Sequence, residues 1–264
     1  MAGTGVFSPG RAKIDARTLR RDRWWLEPAL IFGLLFTFVV YSSVRAFWDT
    51  NYYNEDTSLL SPFYSPCLAD ACVEGSSHLG TPVGDWWALS PALIILILPL
   101  GFRMTCYYYR KAYYRSFWFS PPACAVAEPH KKYTGETRFP LIFQNAHRWF
   151  FWATLPYPIL LAYDAYDSVH HHGDWGVSLG SVVLLTNALL LLAYSLSCHS
   201  CRHIMGGRLN HFSKHPIRYW GWVQVSKLNG KHMELAMVSL VVVGLTDLYV
   251  LLTASGAFTD PRIG

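Results

Sequence analysis

An all-α integral membrane bundle of five transmembrane helices, with its amino terminus in the cytoplasm and its carboxyl terminus outside, is the fold class this sequence predicts. Three observations lead there. Five apolar segments are long enough to cross a hydrocarbon core, which takes about 20 helical residues. The chain is 52% hydrophobic and 16% aromatic over 264 residues, a composition that suits a bilayer with interfacial aromatic belts better than a soluble core. All but three of its Lys and Arg residues fall in three blocks, within 1–27, 101–146 and 198–231. Residues 49–86 carry no Lys or Arg and six acids, and residues 164–176 carry no Lys or Arg and three. Basic loops stay inside, so this alternation sets a topology.

The spans follow in order. Residues 1–25 form a cytoplasmic basic leader, without the small-residue cleavage site of a signal peptide. The first span covers about 26–48, led by Trp24 and Trp25 at the interface. The second covers about 86–105, with Pro91 near its start and Pro99 inside it. The third covers about 146–163 and should kink at Pro156 and Pro158. The fourth, about 176–197, is the most apolar, and the fifth covers about 232–254. Together, 26–254 make the transmembrane domain, followed by a short outer tail, 255–264. No alternating barrel pattern competes with helices. The net charge of +5 comes from dispersed loop residues, which read as topology signals and contacts to membrane lipid or protein partners, not to nucleic acid.

Two loops are long. The outer one, 49–86, holds Cys67 and Cys72, and an oxidising exterior favours a disulfide between them. The inner one, 106–145, is so rich in Tyr, Trp and Phe that it should be ordered, against the bundle or a partner.

Four cysteines, Cys106, Cys124, Cys198 and Cys201, fall at the inner face. A reducing compartment there favours metal ligation over disulfides. The densest stretch is SLSCHSCRHIMGG, where Cys198 and Cys201 are three residues apart and would share one side of a helix. It is not a c-type haem motif, because Arg202 follows Cys201 where that motif needs His. His147 opens the third span and His232 the fifth, so His147, Cys106, Cys198, Cys201, His203 and His232 share one inner layer. Two thiolates and two imidazoles are the ligand set of a Rieske 2Fe–2S cluster. His199 and His203 compete with His147 and His232 for the imidazole places, and Cys106 or Cys124 could supply a thiolate. His78, His130, His170, His171, His172, His211 and His215 read as interfacial or capping residues. Asn187 suggests an interhelical hydrogen bond, Asp247 a polar group near the outer interface, and Gly176 with Gly180 a close helix contact. No phosphate loop, dinucleotide fingerprint, zincin helix or hydrolase triad is present.

The segments TCYYYRKAYYRSFW (105–118), PPACAVAEPH (121–130), FPLIFQNAHRWFF (139–151), SCHSCRHIMGGRLNHFSKHPIRYW (197–220) and VSKLNGKHMELA (225–236) carry a resemblance. Over about residues 20–262 the chain resembles the single membrane-anchor subunit, the cytochrome b or C subunit, of an actinobacterial succinate dehydrogenase (respiratory complex II), of the five-span variety. The resemblance implies a multi-pass protein of the cytoplasmic membrane that binds a flavoprotein and an iron–sulfur subunit. It implies that electrons from succinate reach membrane quinone through it, so that it belongs to an enzyme whose succinate site lies on a partner chain. That variety is haem-free and carries an embedded Rieske-type 2Fe–2S cluster. Carried onto this sequence, the ligands are Cys198, Cys201, His147 and His232, with Cys106, Cys124 and His203 as alternates. The paired ligand loops of soluble Rieske domains are missing. No quinone-site residue can be singled out, no catalytic residue is assigned, and a higher oligomer of the complex stays open. Two other readings remain: an anchor carrying haem b between His147 and His232, and a periplasmic thiol–quinone oxidoreductase built on Cys67 and Cys72.

Overall fold

The computed structural model describes residues 22–126, 137–139, 141–170 and 175–263. The basic leader up to residue 21, His130, His171 and His172 lie outside them. The chain divides into two units, one of residues up to Val39 with Arg103–His147, the other of Val40–Phe102 with the residues from Arg148 on.

Helix α1 runs Leu26–Trp48, the bounds expected of the first span. Its one proline, Pro28, sits in the first turn, where the missing N–H costs no helical bond, and Leu30, Phe32, Phe36, Val39, Val40 and Val44 are all exposed, as a lipid-facing helix requires. The segment expected as the second span holds two helices, α2 (Pro91–Ile95) and α3 (Ile97–Thr105). Pro91 suits the first turn of α2, where its missing N–H costs nothing. Pro99 sits in the first turn of α3 and cannot donate to the preceding turn. The segment expected as the third span holds α5 (His147–Thr154) and α6 (Tyr157–Val169), parted at Leu155–Pro156. Helix α7 (Leu179–Leu196) and helix α10 (His232–Ala254) are unbroken.

Three helices, α1, α7 and α10, are long and apolar enough to cross a membrane among the described residues. A fourth candidate arises if α2–α3 and the next helix, α4 (Tyr107–Phe117), count as one sharply bent span. The molecule is therefore mostly helical, with three to four candidate spans.

In the first unit, the described residues of the aromatic loop include a helix and a 3-10 turn. Arg103 hydrogen-bonds the Tyr109 hydroxyl and lies 5.5 Å over its ring. Gln144 donates to the Tyr113 hydroxyl (3.1 Å) and to the Met104 carbonyl (3.2 Å), tying α4 to the 3-10 turn Leu141–Ala146.

The second unit holds the other helices. Its loop after α1 is an ordered cap built on the hairpin β1 (Tyr53–Asn54) and β2 (Leu59–Leu60). Leu59 is fully buried and packs with Ala165 of α6, Leu184 of α7 and Val250 of α10. Tyr52 and Tyr64 stack at 4.0 Å, and Cys67 and Cys72 are joined by a disulfide. The tail folds back as well. Strand β3 (Val177–Ser178) pairs with β4 (Arg262–Ile263), and Asp260 accepts from the Gly180 N–H (3.0 Å) at the positive start of α7. Gly180 is needed for this approach: a Cβ there would collide with Leu59 and Asp260, and one at Gly176 with Arg262. These glycines admit the loop and the tail, not a neighbouring helix.

The polar groups inside the spans also differ from expectation. Asn187 is fully buried with no hydrogen-bond partner among the described residues. Asp247 meets the loop after α1 through Ser61. It is fully buried and takes Arg45 in two contacts (2.8 and 3.2 Å), with the Tyr41 and Ser61 hydroxyls each donating at 2.5 Å. Arg45, one of the three basic residues outside the basic blocks, is thus the counter-ion of a carboxylate buried in a candidate span.

Candidate functional site

The site begins where α7 stops. Ser197 closes α7, Cys198 follows with an extended backbone, and α8 runs His199–Gly206. Cys198 is therefore not on a helix with Cys201. It is the N-cap of α8, and its Sγ accepts from the Ser200 N–H at 3.3 Å. Cys201 lies in the first turn of α8. Both are buried, Cys198 completely. Burial pushes the Cys201 thiol up, and burial, with help from Arg202, pushes His199 down.

His232 opens α10 and is 1% exposed. Its ring stacks on Tyr194 (5.2 Å, 9° between planes), and His199 approaches its edge at 6.3 Å. Its Nδ1 lies 2.7 Å from the Ser197 hydroxyl. That hydroxyl already donates its one hydrogen to the Tyr194 carbonyl (2.7 Å). The Ser197 oxygen can therefore only accept, so Nδ1 carries the proton and the lone pair sits on Nε2. Asn229 steadies the turn by donating to the Ser197 carbonyl (2.8 Å).

His147, in the first unit, opens α5, and its Nδ1 shares a hydrogen bond with the Thr105 hydroxyl (3.0 Å). Both chosen histidines thus hold Nδ1 against a hydroxyl, the usual arrangement behind an imidazole that ligates through Nε2. The alternates differ. His203 has Nδ1 2.5 Å from the Arg148 Nη2; a guanidinium can only donate, so that lone pair is taken. Cys106 is buried at the N-cap of α4 with no cap bond from its side chain, and Cys124 is exposed. Among the described residues, no group of three or more His, Cys, Asp or Glu side chains is assembled as a metal site. Ser197, Thr105 and Tyr194 escaped the sequence reading. The one signal for Ser197 was its place directly before Cys198.

The comparisons bear on this arrangement. Residues 26–256 match the family described as actinobacterial succinate dehydrogenase subunit SdhC. The chain belongs to that family. It is also similar to a chain of the Mycobacterium smegmatis Sdh1 complex in the apo form, at 57% identity and a TM-score of 0.88, over 99% of this chain and 100% of that one. No curated protein matches it. As an SdhC subunit with several apolar helices, it is a multi-pass component of the cytoplasmic membrane and part of an enzyme complex. The Cys198 turn and both histidines lie within the matched residues.

Proposed function

We propose that this SdhC subunit anchors a flavoprotein and an iron–sulfur subunit to the membrane and passes electrons from succinate oxidation to quinone through a buried Rieske-type 2Fe–2S cluster. The proposal includes five crossings, with α2–α3 and α5–α6 each serving as one broken span, and an amino terminus on the cytoplasmic side. The proposed ligands are Cys198, Cys201, His147 and His232. When bound, such a cluster supplies one-electron transfer at the raised potential that imidazole ligation confers.

The observation that carries this reading is the oriented His232. Its proton is held at Nδ1 by a hydroxyl already committed to the Tyr194 carbonyl, and its ring is fixed against Tyr194, in a layer with two buried thiols. The donor chemistry fits the group: soft sulfur, and imidazole with its second nitrogen hydrogen-bonded. This chain's own residues do the rest. Burial keeps water from the thiols, and Asn229 holds the carbonyl of the Ser197 turn.

The test uses the purified complex, with iron, acid-labile sulfide and haem measured on one sample and an electron paramagnetic resonance spectrum of the reduced state. A Rieske-type signal is expected. His232→Ala should remove it and stop quinone reduction, while succinate oxidation with an artificial acceptor continues. Unchanged quinone turnover in that variant would reject the assignment of His232. A split α band on reduction would replace the cluster with haem b, which the same two imidazoles could also hold.

A further inference from the structure

Between helix α8 and helix α9 (Pro216–Asn229) lies an open cavity of about 440 Å³ lined by His199, Arg202, His203, Gly206, Gly207 and Trp222. We propose that it binds the phosphate of an anionic phospholipid headgroup.

Charge is the first argument. Arg202 lies in the wall, with Nε donating to the Ser226 hydroxyl (3.0 Å) and the guanidinium 5.4 Å from the Trp222 ring. That posture leaves the planar fork held at one edge, the form in which Arg recognises phosphate. Arg148 adds a second cation, seated against His203 at 2.5 Å. No carboxylate balances them in sequence, because neither 139–163 nor 176–233 contains an Asp or Glu.

The second argument concerns the end of α8. A helix C-terminus repels anions, since its last carbonyls are unpaired. Here Arg218 takes them: it donates to the Met205 carbonyl at 2.7 Å and to the Gly207 carbonyl. The cavity therefore keeps its positive sign. Gly206 is required for the shape, because a Cβ there would overlap the Trp222 indole.

The third argument selects a lipid over a soluble anion. Helix α8, which lines the cavity, follows directly on α7, a candidate span, and Trp149 (76%), next to Arg148, and Ile217 (84%) and Trp220 (65%) of α9 are exposed. Aromatic and aliphatic side chains around a cationic pocket at a span's end suit a headgroup with acyl chains beside it.

The experiment uses the whole purified complex in detergent. Native mass spectrometry follows retention of added phosphatidylglycerol, phosphatidylcholine or inorganic phosphate, and needs no redox centre to be loaded. Phosphatidylglycerol should be retained in preference to phosphatidylcholine. Arg202→Gln should weaken its binding roughly tenfold, the scale of losing a hydrogen bond to a charged group. Arg202→Lys should recover part of that, and Lys214→Gln, outside the lining, none of the loss should appear. Where Arg202→Gln does not assemble, Arg148→Gln removes the second cation and should also weaken retention. Equal retention of the zwitterionic lipid, or no change in Arg202→Gln, overturns the proposal. Inorganic phosphate competing at equal concentration makes it a free-anion site and overturns the lipid assignment. Loss of partner subunits from Arg202→Gln, with lipid retention unchanged, makes it a protein contact and overturns it too.

Discussion

At the residue scale, single hydroxyls and single counter-ions set the chemistry. Ser197 holds the His232 tautomer, so Ser197→Ala should leave the fold intact and loosen the ring. If His232 is a ligand, losing such an outer partner lowers metal affinity by about 10–100-fold. The check is iron content after dialysis against a chelator, with Ser197→Thr retaining more than Ser197→Ala. Asp247 is different, because it carries a fully buried charge whose removal orphans Arg45. Asp247→Ala should destabilise by about 3–5 kcal/mol, read as a lowered Tm. His78 offers a pH signature. Its Nε2 lies 3.1 Å from Asp164 Oδ1, an ion-pair distance without aligned hydrogen-bond angles, and Asp164 holds the His78 pKa above its usual value despite burial. A raised folded pKa contributes stability that is complete below the unfolded value of about 6.5 and fades as pH rises through the folded one. The Tm advantage of the native chain over His78→Gln should therefore be largest in mild acid and shrink toward alkaline pH. An advantage that grows with pH would contradict the pairing.

At the scale of elements, the position of proline decides which apolar segments stay whole as helices. α7 and α10 contain none, α1 carries only Pro28 in its first turn, and all three run unbroken, while Pro99 and Pro156 stand at the breaks within the segments expected as the second and third spans. The loop after α1 behaves as an element in its own right, buried through Leu59 and Leu60 and closed by the disulfide. A bridge across a sequence separation of five closes a short loop, for which chain entropy gives about 2 kcal/mol. The Cys67→Ser, Cys72→Ser double variant should lose that order of stability and keep quinone reduction. Loss of turnover at unchanged stability would revive a thiol–quinone role for this pair.

At the scale of the whole molecule, periodicity and charge were enough to recover the long helices. Leu26–Trp48 and His232–Ala254 coincide with the expected first and fifth spans because an uninterrupted apolar run has only one way to satisfy its backbone in lipid. His147 and His232 were legible as the openings of helices for the same reason: each precedes an apolar run. What composition could not supply was pairing across distance. That Arg45 meets Asp247, that Ser197 orients His232, and that the tail caps α7 all depend on contacts between segments far apart in the chain. A residue's type announces that it needs a partner, because burying an unpaired charge or donor is costly. Which partner it finds is decided only when packing brings the two together. Helices that cross a membrane were therefore written in the order of the residues, whereas the tautomer, the counter-ion and the cavity between α8 and α9 came into being with the tertiary structure.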